Sequence, residues 1–277
     1  DGLVWSAITN QIKQPGSESE WISVSNLPWD HFKKHPWSLS GGGANKLMQF
    51  FQKWSKEKLQ SKIEEIGFGA VTREDSAYMV GRGTLLRHGI SKENQRPLIE
   101  GDTIRDWNIR NSLVSLWPYQ SETLEAFSDD AINKFLYPYR NILRNRVAYG
   151  NTQLERGLSW FEYSMFFSER YRIPLSIAFA FVATHNHFVL DRGGKVFNRS
   201  APVIKLPEGA TEDQHLELLG VLNSSTACFW LKQVSHNKGS GVDSKNARQT
   251  SVPWEDFYDF TGTKLQEFPL PGSLPLE

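Results

Sequence analysis

The sequence predicts a mixed α/β fold: a twisted mixed β-sheet with flanking helices, preceded by an extended and helical arm. Three observations predict it. Strand-sized apolar runs, such as residues 175–182 and 203–206, are interspersed with segments whose apolar residues recur at helical spacing. Hydrophobic residues make up 39% and charged residues 22%, the balance of an ordinary globular protein. At 277 residues the chain is long enough to bury a sizeable core.

The opening segment is punctuated by Pro15-Gly16, Pro28, Pro36 and Gly41-Gly42-Gly43, which reads as a connecting arm. Leu47, Phe50, Phe51 and Trp54 then take helical spacing. Residues 67–71 and 77–80 are expected to pair as strands across the polar turn 72–75. Residues 97–99 lead into a turn or short helix over 101–107, and 113–117 reads as another strand. Ser128 can cap a helix whose first turn holds Asp129 and Asp130. Its apolar stripe is Ile132, Phe135, Leu136, Tyr139, Ile142 and Leu143, and Pro138 should break or kink it. Strands resume at 175–182, 187–190 and 203–206, with Asp191-Arg192-Gly193-Gly194 as a turn. Helices over 212–222 and 224–234 precede a small, polar, basic loop at 235–241. The domain reading is an arm and helix at 1–60 and one body at 61–277, with a division near residue 150 as the variant.

Lys plus Arg and Asp plus Glu both number 31, so the formal charge is zero. A freestanding DNA binder is usually basic, which counts against strong autonomous affinity for DNA. The charge is segregated, however. Between residues 131 and 154 lie Lys134, Arg140, Arg144 and Arg146 and no acid. Between 232 and 248 lie Lys232, Lys238, Lys245 and Arg248 against Asp243, and the tail beyond Trp254 is acidic. The lone Cys228 excludes a disulfide framework within the chain and reads as a small buried thiol. That fits a reducing, cytoplasmic home. No run approaches the roughly 18 apolar residues of a spanning helix. The chain opens without Met, as an excised piece of something longer would.

Few motifs carry chemistry. Asn26-Leu27-Pro28-Trp29 approaches the polar-Pro-Pro-aromatic turn with which amino-methyltransferases hold a flipped base, but Leu27 replaces the first proline. No Gly-rich cofactor loop precedes it, so no catalytic residue is assigned. His185-Asn186-His187 places both imidazoles on one side of a strand. No third ligand is identifiable by spacing, so a structural pair is expected and no metal is assigned. Gly239-Ser240-Gly241 permits close backbone approach to a phosphate, although a surface loop needs no ligand to explain it. Arg140 and Arg144 share a helical face, with Arg146 close by and Tyr137 and Tyr139 interleaved. Such a face can hold phosphates or read guanine, or it can be solvated or paired with acids.

Several segments, in order, resemble one family. Gly67-Phe68-Gly69-Ala70-Val71-Thr72 with Asp75, then Leu98-Ile99-Glu100-Gly101-Asp102-Thr103-Ile104-Arg105-Asp106-Trp107, look like the TaqI-like specificity domain of adenine-specific DNA methyltransferases. Phe135-Leu136, Tyr139-Arg140, Leu143 and Arg146, followed by Trp160-Phe161, resemble that domain's helix and the aromatic segment after it. Residues 218–225 running into Phe229-Trp230-Leu231-Lys232 resemble its paired helices. Val196-Phe197-Asn198-Arg199-Ser200-Ala201-Pro202 and His236-Asn237-Lys238-Gly239 are similar to stretches of the large phage-defence methyltransferases of the PglX type in BREX. The resemblance covers most of residues 60–262. It implies a target-recognition body that reads double-stranded DNA beside a catalytic methyltransferase half. S-adenosylmethionine is then expected in that half and no cofactor here.

Arg140, Arg144, Arg146, Lys232, His236, Lys238, Lys245 and Arg248 are the expected DNA contacts. A carbohydrate-binding or other non-nucleic binding module built on exposed tryptophans is the main alternative. A hydrolase or nuclease using the two histidines is the second.

Overall fold

The computed structural model describes residues 2–33, 37, 40–81, 83–110, 113–239 and 255–273. The fold is mixed α/β, and its strands are distributed over several small sheets around two hydrophobic cores.

The first core is built on an antiparallel sheet in the order Phe188–Asp191, Ser176–Phe179, Val203–Lys205, Glu65–Gly67. Its central strands are buried along their whole length, which explains their continuous apolar reading. The helices Glu212–Leu222 and Ser225–Val234 add Leu218, Leu219, Leu222, Ala227, Trp230 and Leu231 to that core. Both start where the sequence supplies a cap. Thr211 forms a reciprocal box with Gln214, and the Ser224 hydroxyl accepts from the Ala227 amide.

The second core lies on the sheet Val196–Phe197, Gln95–Ile99, Leu113–Leu116, Met79–Gly81. The pairing of 196–197 with 98–99 is parallel and the others are antiparallel. Much of the aromatic content is spent here. Trp117 meets Tyr119, Phe166 and Tyr171 at ring separations of 5.1, 5.3 and 5.3 Å. The cores interleave along the chain: Ile99 and Ile104 belong to the first, while Tyr163 and Val196 belong to the second.

The helical reading of the 128–146 segment holds, with its interruption. Asp129, not Ser128, caps the helix Asp130–Leu136, accepting from the Ile132 amide at 2.8 Å. Pro138 sits in the 3-10 turn Tyr137–Tyr139, after which Arg140–Arg144 forms one further turn.

The expected pairing of 67–71 with 77–80 does not form. Glu65–Gly67 pairs with Val203–Lys205, Ala70–Val71 with Met165–Phe166, and Met79–Gly81 with Leu113–Leu116. The Thr72 hydroxyl bonds the Asp75 carboxylate and Asp75–Tyr78 turns into a short helix, so the chain cannot fold straight back. Cys228 is half-buried rather than fully buried.

Before the body, the helix Leu3–Gln11 buries only Ala7. In the helix Ala44–Trp54, Met48 and Phe51 reach the first core, while Leu47, Phe50 and Trp54 stay exposed. Among the described residues no helix is long and apolar enough to cross a membrane.

Candidate nucleic-acid interface

Leu143 anchors the Arg140–Arg144 turn in the second core and leaves Arg140 and Arg144 half-buried at its edge. The Arg140 guanidinium lies 5.7 Å from the Tyr137 ring. Arg146 points the other way and is 5% exposed. Its Nε donates to the Leu143 carbonyl at 3.0 Å, and its terminal nitrogens donate to the carbonyls of Thr72, Trp160 and Glu162. Burial pushes its pKa down from the usual arginine value. A guanidinium committed to four backbone carbonyls has no fork to offer a phosphate or a base. Arg146 therefore leaves the set of expected DNA contacts.

The carboxy-terminal basic residues sit on a second site. Lys232 lies in the last turn of Ser225–Val234, its Nζ 5.2 Å from the Tyr258 ring. His236 and Lys238 are exposed, and Lys238 pairs with Asp259 at 3.4 Å. The expected loop at 235–241 begins instead as the strand His236–Gly239, which pairs with Phe257–Asp259 through a bulge between Asn237 and Gly239. The acidic tail thus supplies its own strand to cover the basic one. Lys245, Arg248 and Gly239-Ser240-Gly241 beyond its first residue lie outside the described residues.

The same small sheet carries Val182–Ala183, with Asp259 facing both Val182 and His236. The segment leaving that strand holds the two histidines, and it meets the hairpin Ile104–Arg105/Asn108–Ile109. The Asp106 carboxylate bonds His187 Nδ1 at 2.7 Å, and the Trp107 amide donates to the Phe188 carbonyl at 3.4 Å. The rings of His185 and His187 are 4.2 Å apart, and His185 Nδ1 lies 3.0 Å from the Thr184 hydroxyl. One donor atom each from Asp106, His185 and His187 lies within 4.8 Å of the others. Burial, then the neighbouring His187, hold the His185 pKa below its usual value; Lys232 and Arg105 act in the same direction against the pull of Asp106. Two asparagines fix the segment from below. Asn186 donates to the Leu222 carbonyl at 2.6 Å, and Asn223 exchanges two bonds with the Phe188 backbone.

The structure therefore brings Arg105, Asp106, Trp107, His185 and Lys232 into one neighbourhood. Sequence reasoning singled out the histidines and Lys232 but could not join them to Asp106, which is 81 residues from His187. The hairpin's signal was its place at the end of the 98–107 motif, which said nothing of exposure.

No protein-family model matches the chain. It is 44% identical, over 281 aligned residues that cover 99% of it, to the adenine-specific methyltransferase PglX of Streptomyces coelicolor. It spans 23% of that protein. Among solved structures, the type IIG restriction endonuclease BpuSI matches with a TM-score of 0.50 at 10% identity, over 83% of this chain and 26% of that one. The type IIL restriction-modification enzyme MmeI, in complex with DNA, gives 0.49 at 13% identity, over 77% and 25% respectively. The likeness to BpuSI is one of fold.

Proposed function

We propose that this chain is the DNA target-recognition portion of an adenine-specific DNA methyltransferase of a restriction-modification or phage-defence system. The observation that carries the reading is the 44% identity to PglX, which runs along 99% of this chain and only 23% of that enzyme. The chain corresponds to one part of a larger machine. A recognition part works beside a catalytic part that shares the grip on the duplex, so a formal charge of zero is no obstacle. Its task is to read base edges and to place one adenine for flipping.

The methyl donor in this reading is S-adenosylmethionine, held by the remainder of the enzyme. Trp29, the aromatic that would stack on a flipped base in the degenerate Asn26-Leu27-Pro28-Trp29 turn, is 87% exposed, and Leu27 stands where that turn has its first proline. No catalytic step is assigned to this chain. In this reading the DNA contacts are Arg140 and Arg144 at one site and Lys232, His236 and Lys238 at the other, with Lys245 and Arg248 as further contacts. The cell compartment is the cytoplasm, where the DNA of a bacterial host lies.

The test is an exchange. Residues 57–273 of the complete enzyme are replaced with the corresponding span of a relative of different specificity, and methylated adenines are mapped by sequencing. The methylated sequence should change to that of the donor. Methylation at the original sequence would overturn the reading.

A further inference from the structure

Among the described residues, Trp107 is the exposed tryptophan of the body; Trp5, Trp21, Trp29, Trp37 and Trp54 all precede it on the arm. Its ring is 59% exposed at the tip of a hairpin, and its backbone sits at φ +65°. Gly or Asn takes that conformation readily, and a bulky side chain seldom does. A large apolar ring held outward on strained backbone indicates a surrounding structure that enforces it, a condition concentrated at functional sites.

The enforcement is visible. Ile104 pairs with Ile109 and Arg105 with Asn108, and Ile104 is fully buried in the first core. Asp106 is clamped by His187, itself buried, and the Trp107 amide is tied to Phe188. Two cations belong to this region: the exposed Arg105 adjoins Trp107 in sequence, and Lys232 lies 5.2 Å from the ring of Tyr258, which pairs with Ala183 on the strand that leads to His185. An exposed aromatic ring with cations in its region suits a nucleic acid, whose phosphates take the charges while the ring meets the bases.

Resting on the recognition reading above, we propose that Trp107 is a wedge that enters a groove of the target duplex and lodges against a base step. Arg105 and Lys232 hold flanking phosphates, and Asp106 and His187 are positioning residues that aim the tip. This assigns to the hairpin a part of target recognition that the basic segments alone do not supply.

The experiment uses the complete enzyme and duplexes carrying its recognised site, with 2-aminopurine placed in turn at each step of the site. Unaltered enzyme should raise the fluorescence at one step. Trp107→Gly suits the positive φ, so the hairpin survives without the ring. It should weaken binding to the site about tenfold or more and abolish the signal, with the salt dependence unchanged because the ring is uncharged. Trp107→Phe should retain most of both. Asp106→Asn should lower the fluorescence at saturating enzyme while circular dichroism stays as in the unaltered protein.

Unchanged affinity and fluorescence in Trp107→Gly would overturn the wedge and leave the recognition reading standing. Loss of a co-purifying subunit with DNA affinity intact would make the ring a protein contact and overturn it as well. Failure of the unaltered enzyme to bind DNA would instead overturn the recognition reading on which the wedge rests.

Discussion

Arg146 and Thr72 lie 74 residues apart, yet the Arg146 guanidinium donates to the Thr72 carbonyl at 2.5 Å. The same side chain reaches Trp160 and Glu162 and lies 5.6 Å from the Tyr78 ring, so one cation ties three separate segments over the second core. Arg146→Ala should strand these carbonyls and lower stability by about 3 kcal/mol or more in urea unfolding. Arg146→Lys should recover less than half, since an ammonium lacks the planar fork. A loss below about 1 kcal/mol would contradict this role.

The cations outside the core should behave differently. Arg140→Ala, Arg144→Ala and Lys232→Ala, which are half-buried, and Lys238→Ala, which is exposed, should each cost the complete enzyme less stability than Arg146→Ala. Each residue that touches a phosphate should flatten the salt dependence of DNA binding by about one unit of slope. One that reads a base should cost about 1–3 kcal/mol at a single position of the site. Wild-type affinity, slope and sequence preference in all four variants would remove the assigned DNA contacts.

Lys205 gives a pH signature. It is 5% exposed, and its Nζ donates to the carbonyls of Ile173 and Leu175. Burial lowers its pKa from 10.5 to about 8. Between those values the unfolded chain binds more protons than the folded one, so stability rises with pH there. The penalty of burying the charge is complete below the folded value and relieved above the unfolded one, by up to about 3 kcal/mol. Between pH 8 and 10 the stability of the unaltered chain, measured relative to Lys205→Met, should therefore climb; a flat difference would refute the shift.

The Asp106–His187 contact is expected to be a hydrogen bond rather than shared coordination. At 2.7 Å it is shorter than the separation of two donors on a tetrahedral zinc ion, about 3.3 Å from bonds of about 2.0–2.1 Å. Elemental analysis of untagged protein should find no stoichiometric zinc, iron or manganese. One tightly held ion per chain, lost in His187→Ala, would reverse this expectation.

What the sequence revealed was mainly local. The helices Glu212–Leu222 and Ser225–Val234 were legible because Thr211 and Ser224 cap them and their leucines keep helical spacing. The kink at Pro138 follows from the missing amide. Pairings between distant segments were not legible. Nothing near Gly67 or Met79 says that their partners are Val203 and Ser115. The strand at His236–Gly239 was hidden because polar residues and glycine carry no alternation when a strand lies at an exposed edge. Arg146 misled for a related reason: an arginine that saturates buried carbonyls has the same letter as one that faces DNA.

The short ladder joining Glu57 to Leu270 and Lys58 to Pro269 places the two ends of the body side by side. The Lys58 ammonium and the Glu267 carboxylate close the same junction at 2.5 Å. A unit whose incoming and outgoing strands share one seam can be spliced into a host protein through a single attachment point, leaving the host's own path almost undisturbed. Under the recognition reading proposed above, a new specificity could then be acquired by moving one contiguous cassette rather than by rebuilding two distant junctions. The stretch between the seam's two sides is the natural unit of such an exchange, because the cores inside it interleave and cannot be traded separately.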